Sequence, residues 1–175
     1  MILFVDYDGV FHPARVFLKD GKPELASDGG EVLFMWTPLL ESALASHPDI
    51  QIVLSTSWVH VLGFDTARNR LSDALRKRVT GATWHAAMDS SPYASQSSAL
   101  SHWDRMTRYE QIALYVARAG VERWLAIDDD IEGWKDQHLS NLVQTHPDRG
   151  LSDEAVLLHL EKALEEQDLA TKGRR

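Results

Sequence analysis

Hydrophobic positions in this chain gather into short runs that end on acidic or hydroxyl residues, and between the runs the apolar spacing becomes helical. Ile2 to Asp6 is an unbroken apolar run of strand length, the pattern of a strand covered on both faces. Arg15 to Leu25 alternates around Asp20-Gly21, the signal for a short hairpin, and so predicts a small flap beside the loop that follows the first run. Thr37 before Pro38 offers an N-cap with proline at the first helical position, and Leu39, Leu40, Ala43 and Leu44 supply an apolar face until His47-Pro48 ends it. Ile50 to Leu54 is a second buried strand, leading into Ser55-Thr56-Ser57-Trp58. Leu71 to Arg78 reads as a helix running into a short strand from Val79 to Trp84. Residues 86–104 are rich in Ser, Ala and Pro without periodicity and are expected to form a long functional loop. Tyr109 to Ala119 is helical by pattern with Gly120 as its stop, Trp124 to Ile127 is a strand, and Leu142 to Gln144 is the last strand. A helix opening at Ser152-Asp153-Glu154 runs to about Gln167, and residues 169–175 read as a frayed tail.

Strands alternating with helices predict an α/β fold, a doubly wound, Rossmann-like parallel sheet in three layers with helices on both faces. The expected domain is residues 1–168, with the hairpin flap and no large cap. In such sheets ligands bind beyond the carboxyl ends of the strands, where strand order reverses. Asp6, Asp8, Ser55, Asp128 and Asp129 all fall at predicted strand C-termini.

Composition narrows the class. With 175 residues, 44% hydrophobic and 25% charged, the chain has enough apolar surface for one enzyme-sized core. It contains no cysteine, which excludes disulfides and a thiolate zinc site. A net charge of -8 argues against broad affinity for nucleic-acid backbones, so any polyanion must be met locally. No apolar stretch approaches the roughly 20 residues needed to cross a bilayer, and the expectation is a soluble, cytoplasmic protein without a membrane partner. The sequence carries no signal for an oligomeric state.

The candidate chemistry lies in two acidic clusters, Asp6-Tyr7-Asp8 and Asp128-Asp129-Asp130. If their strands are neighbours, four or five carboxylates converge, and they repel one another unless a divalent cation neutralises them. Hard oxygen ligands suit Mg²⁺. A calcium loop would want Asp or Asn at its fifth position and Gly at its sixth, where this chain has Val10 and Phe11. Each member also has an ordinary reading: Asp128 as a helix cap, Ser55 to Ser57 as loop hydroxyls satisfying local backbone, Arg105 and Arg108 as solvated or paired with Glu110. His12 could touch substrate from its loop, but His12, His60, His85 and His102 lack metal-ligand spacing. Trp58 and Trp103 could stack a base near the site.

These residues carry a resemblance to a known family. Phe4-Val5-Asp6-Tyr7-Asp8-Gly9-Val10 resembles the first signature of the haloacid dehalogenase superfamily, Leu54-Ser55 its second and Ile127-Asp128-Asp129 its fourth. The third, a Lys or Arg near a helix start, is matched best by Arg108, with Arg105 in reserve. Ser55-Thr56-Ser57-Trp58, the Asp128-Asp129-Asp130 run and Pro147-Asp148-Arg149-Gly150-Leu151 are similar to the small members resembling the phosphatase domain of "Swiss Army Knife" RNA repair proteins. The resemblance implies a Mg²⁺-dependent phosphomonoesterase. Asp6 would be the nucleophile that becomes an aspartyl-phosphate, and Asp8 the general acid and then base, its main-chain carbonyl a metal ligand. Ser55, with Thr56 as alternative, would bind a phosphoryl oxygen. Arg108 would neutralise charge, Asp128 would hold the metal with Asp6, and Asp129 would bind it through water or orient Arg108; Asp130 is expected to cap the following segment. The substrate would be phosphorylated: a nucleotide, a nucleic-acid end admitted by an open site, or a small metabolite. Two alternatives use the same fold: a signalling receiver that keeps its phosphate, and a non-catalytic partner-binding domain. The order of the acidic clusters disfavours the first, and the intact Asp6 and Asp8 disfavour the second.

Overall fold

The first apolar run forms the middle strand of a five-stranded sheet, and everything that matters for the site follows from that position. The computed structural model describes residues 1–27, 29–85 and 103–172. In chain order the elements are β1 (Ile2–Val5), the hairpin β2 (Val16–Lys19) and β3 (Lys22–Leu25), α1 (Thr37–Ala43), β4 (Gln51–Leu54), and three short helices, α2 (Ser57–Leu62), α3 (Phe64–Arg68) and α4 (Asp73–Arg76). Then come β5 (Val79–Ala82), α5 (Arg108–Ala119), β6 (Trp124–Asp128), β7 (Leu142–Gln144) and α6 (Glu154–Lys172). The sheet order is β5-β4-β1-β6-β7, all parallel, with the β2–β3 hairpin separate and antiparallel. Chain order reverses across β1, which has β4 on one side and β6 on the other, so the switch point of the sheet lies at the end of β1.

Because successive side chains on a strand point to opposite faces, each apolar run serves two cores. Leu3, Val5, Ile52, Leu54, Leu125 and Ile127 face the larger core with Leu40 and Leu44 from the α1 segment and Leu160 and Leu164 of α6. Phe4, Val53, Trp124 and Ala126 face the other, covered by Ile112, Tyr115 and Val116 of α5. Phe4 meets Tyr115 and Trp124 edge-on, with ring centroids 5.4 and 5.9 Å away. Burial on both sides explains why these strands read as continuous apolar runs.

The structure departs from the sequence expectations in five places. Thr37 is the first helical residue, not the N-cap; Trp36 holds that position without a side-chain cap, and α1 ends at Ala43. Helices α2 and α3 were not foreseen: each is under two turns, and Trp58, Val59 and Ala67 make one apolar surface only because the break at Gly63 folds the pair together. Between Leu71 and Arg78 only four residues are helical, and β5 stops at Ala82 rather than Trp84. Helix α6 continues to Lys172, through most of the expected tail. Its later turns are tied down by His47, whose Nδ1 lies 2.8 Å from Asp168, and by Arg123, which donates to the Gln167 carbonyl at 3.0 Å. The expected loop at residues 86–104 lies outside the described residues except for the 3₁₀ turn Trp103–Arg105, and so does His102.

Candidate active site

Parallel pairing sets the heights of the candidate residues. Val5 is level with Leu54 on one side and Ile127 on the other, and the ladder continues one step further: the Asp6 N–H donates to the Ile127 carbonyl at 3.1 Å and the Ser55 N–H to the Val5 carbonyl at 2.9 Å. Asp6, Ser55 and Asp128 therefore stand side by side at one sheet edge. Past Asp6 the chain turns tightly, with the Val10 and Phe11 N–H groups donating to the Tyr7 carbonyl. Gly9 makes this possible at φ +70°, a conformation costly for other residues. A Cβ there would stand 2.6 Å from the Asp129 carboxyl, so the missing side chain lets the loop after β6 close against the loop after β1. The Thr145 hydroxyl, beyond β7, donates to the Gly9 carbonyl at 2.7 Å and fixes the same turn.

Carboxylate oxygens of Asp6, Asp128 and Asp129 lie within 4.8 Å of one another. Asp6 is 6% exposed and Asp128 1%. Arg108 reaches in from the start of α5, its Nη2 3.6 Å from Asp6 and its Nε 3.3 Å from Asp128. The helix start is fixed by a capping box in which Thr107 and Glu110 satisfy each other's N–H groups. Gln111 accepts from Arg108 at 3.0 Å while its own amide donates to the Met106 carbonyl at 3.3 Å. One guanidinium beside three carboxylates leaves an excess of negative charge in a place largely closed to water.

That excess shifts the titrations. Burial raises Asp6 to about 6, and Asp8 adds to the rise; Arg108, the Tyr7 N–H and the Thr56 hydroxyl pull it down without cancelling it. Asp128 is pushed well above the usual carboxylate range by burial and then by Asp6, against Arg108. Burial also raises Asp129. For Arg108 burial works against the charge, but Asp6, Asp128, Asp130 and Asp129 together lift it above its ordinary value.

Polar atoms at the edge are left without hydrogen bonds: Asp6 Oδ1, Asp128 Oδ2, Arg108 Nε and Ser55 Oγ. Arg108 Nε and Asp128 Oδ2 attract across 3.3 Å but are not aligned as donor and acceptor. Buried oxygens with unused lone pairs, all from carboxylates and in charge excess, fit a hard cation such as Mg²⁺. The hydroxyls divide differently. Thr56 caps α2 and stabilises ionised Asp6, whereas the buried Ser55 Oγ has no partner.

Asp8 stands apart from this cluster, its side chain 26% exposed. Trp58 Nε1 donates to both of its oxygens at 3.0 Å, and His12 Nε2 lies 3.0 Å from Oδ1. Beside it the hairpin and α2 enclose a groove of about 120 Å³ lined by Val16, Phe17, Leu18, Pro23 and Leu62.

The family described as the HAD domain in Swiss Army Knife RNA repair proteins matches residues 2–156. The chain belongs to this family. No curated protein and no solved structure matches it. Membership in this HAD family supports a hydrolase of phosphatase type in general, in a fold that is typically metal-dependent. Among the described residues no helix is long and apolar enough to cross a membrane.

The other candidates are placed as follows. Arg105 is exposed and lines a depression with Arg108, Thr107, Gln111, Asp130 and Glu132. Asp130 accepts from the Glu132 N–H at 2.7 Å and closes the turn after β6. His60 packs on Trp84 with centroids 5.1 Å apart, and His85 is exposed. Trp58 and Trp103 are buried, which removes both as open stacking platforms for a base. Fully buried His12 faces Asp8. The links from Trp58 and His12 to Asp8, from Gln111 to Arg108 and from Thr145 to Gly9 were not foreseen from the sequence. Trp58 had a signal in its place directly after the Ser55-Thr56-Ser57 step, and His12 in its loop position four residues after Asp8.

Proposed function

We propose that the chain is a Mg²⁺-dependent phosphomonoesterase that works through an aspartyl-phosphate on Asp6. The observation that carries this reading is the convergence of Asp6, Asp128 and Asp129 within 4.8 Å at the switch point of the sheet, with Arg108 against them and Asp8 two residues away. Asp6, Asp128 and Asp129, with the Asp8 main-chain carbonyl, would hold Mg²⁺, which when bound supplies charge neutralisation between nucleophile and phosphate.

In the first step an Asp6 oxygen attacks phosphorus, the ester P–O bond breaks, and the departing oxygen takes a proton from Asp8. In the second, Asp8 removes a proton from water, the water oxygen attacks phosphorus, and the bond to Asp6 breaks. Phosphate leaves with Asp6 ionised and Asp8 protonated again. Arg108 offsets charge on the phosphoryl oxygens as a fork rather than a point, and the unbonded Ser55 hydroxyl is free to donate to one of them.

For substrate, the family description ties relatives to RNA repair. Among the described residues only a hairpin intervenes between β1 and α1, a small cover that suits a large phosphorylated molecule. We therefore take phosphorylated RNA ends as the leading class, ahead of nucleotides and small metabolites.

The test is phosphate release from p-nitrophenyl phosphate with and without Mg²⁺, followed by a panel of 3'- and 5'-phosphorylated oligonucleotides, nucleotides and sugar phosphates. Native activity that needs Mg²⁺ and vanishes in Asp6→Asn is the expected result. Full activity in Asp6→Asn would end the mechanism, and a phospho-protein that never turns over would revive the receiver reading.

A further inference from the structure

We propose that Trp58 and His12 are positioning residues that lock the Asp8 carboxylate so that Oδ2 is the oxygen that gives and takes the proton. This rests on the phosphatase reading above.

The hydrogen bonds define the orientation. The Phe34 N–H donates to His12 Nδ1 at 3.2 Å, so that nitrogen accepts and the proton of the neutral ring sits on Nε2, which faces Asp8 Oδ1 at 3.0 Å. Trp58 Nε1 can only donate, and it lies 3.0 Å from both Oδ1 and Oδ2. The single Nε1–H is shared between the two oxygens, and Oδ1 alone also faces the His12 donor, so Oδ1 is the more engaged oxygen and Oδ2 the freer one. The donors cannot swing away. Trp58 is 4% exposed, with the rings of Phe34, Tyr7 and His12 at 5.3, 5.7 and 5.9 Å. Arg70 covers it at 5.9 Å. Phe34 itself holds φ +64°, a conformation an aromatic residue adopts only where its surroundings enforce it.

The same short segment serves both halves of the site. Ser55 ends β4, Thr56 caps α2, and Trp58 in the first turn of α2 reaches across to Asp8. A general acid matters only where the leaving oxygen needs a proton, and this separates a positioning role from a merely structural one.

The experiment compares kcat/KM for phenyl phosphate, whose leaving group needs protonation, with 2,4-dinitrophenyl phosphate, whose leaving group does not, using the whole chain with Mg²⁺. Loss of alignment in Trp58→Phe is expected to cost on the order of 10- to 100-fold on phenyl phosphate, because general-acid catalysis is worth roughly 10²–10⁴-fold and small displacements forfeit much of it. On the dinitrophenyl ester the loss should stay within about threefold, as no proton transfer is needed there. His12→Leu should show the same ester preference. His12→Gln, which can return an amide donor to the Nε2 position, should recover part of the phenyl phosphate rate. Independently of activity, the Trp58 indole ¹⁵N–¹H signal, identified by its disappearance in Trp58→Phe, should move upfield in Asp8→Ala as a charge-assisted bond is lost.

Equal losses on both esters, or an indole signal indifferent to Asp8→Ala, overturn the positioning role while leaving the phosphatase reading intact. If Trp58→Phe loses its native spectrum, the two His12 variants decide in the same way. A native chain that hydrolyses neither ester, or an Asp8→Asn variant without ester preference, overturns the underlying reading and this proposal with it.

Discussion

Replacing Asp6 by asparagine should destroy activity and, in metal-free buffer, make the protein more stable. The side chains are nearly isosteric, so packing is held constant and the change removes a charge. Asp6 is 6% exposed and its carboxyl is raised to about 6, chiefly by burial and in spite of Arg108. Its ordinary value is 3.8, so keeping it ionised in the fold costs roughly 3 kcal/mol at neutral pH. The sign follows from linkage. A group whose folded pKa is raised contributes stability that is complete below its unfolded value and is lost as pH rises through the folded one. The native protein should therefore lose this contribution between about pH 4 and pH 6–7, whereas Asp6→Asn, which never ionises, should not. Thermal melts in EDTA should show the two proteins close together near pH 4. By pH 7.5 the variant should lead by about 3 kcal/mol, or roughly 6–12 °C for a chain of this size. Mg²⁺ should then raise the melting temperature of the native protein more than that of the variant, because the site that gains most from a cation is the one with the uncompensated charge. A variant less stable than native at pH 7.5 in EDTA, or a gap that does not change with pH, would refute the claim that Asp6 sits in an under-neutralised acidic cluster.

Three further outcomes test neighbouring parts of the site. Arg108→Lys keeps the charge but not the fork that reaches Asp128 at 3.3 Å and Asp6 at 3.6 Å; kcat should fall on the order of 10²-fold with the fold retained by circular dichroism, and an unchanged kcat would remove Arg108 from the mechanism. Ser55→Ala should lower kcat roughly 10²-fold while shifting stability by less than about 1 kcal/mol in denaturant titration, because its hydroxyl has no protein partner to lose. Gly9→Ala should destabilise by about 1–3 kcal/mol and weaken Mg²⁺ binding in calorimetry, since φ +70° is strained for alanine and its Cβ would displace Asp129.

What the sequence disclosed, and what it withheld, divides along a physical line. Asp6, Ser55 and Asp128 were legible because each ends an apolar run, and in a parallel sheet runs of similar length place their ends at one edge whatever happens between them. Arg108 was reached less directly, through the resemblance to a family signature that wants a Lys or Arg near a helix start; that start is fixed in the structure by Thr107 and Glu110. Helices α2 and α3 escaped because a single turn of apolar residues carries no measurable period. The donors to Asp8 were hidden for a different reason. Trp58 lies 50 positions from Asp8, and the two meet only because β4 is the neighbour of β1 and the first turn of α2 points back over its end. His12 lies four positions from Asp8, near enough to invite attention, but its role is set by the Phe34 N–H at its far nitrogen. Periodicity reports which residues share a face; it does not report which lone pair a donor will occupy. The carboxylates and the hydroxyl that line such a candidate site can therefore be found from strand ends, whereas the groups that hydrogen-bond to Asp8 have to be read from the assembled loops.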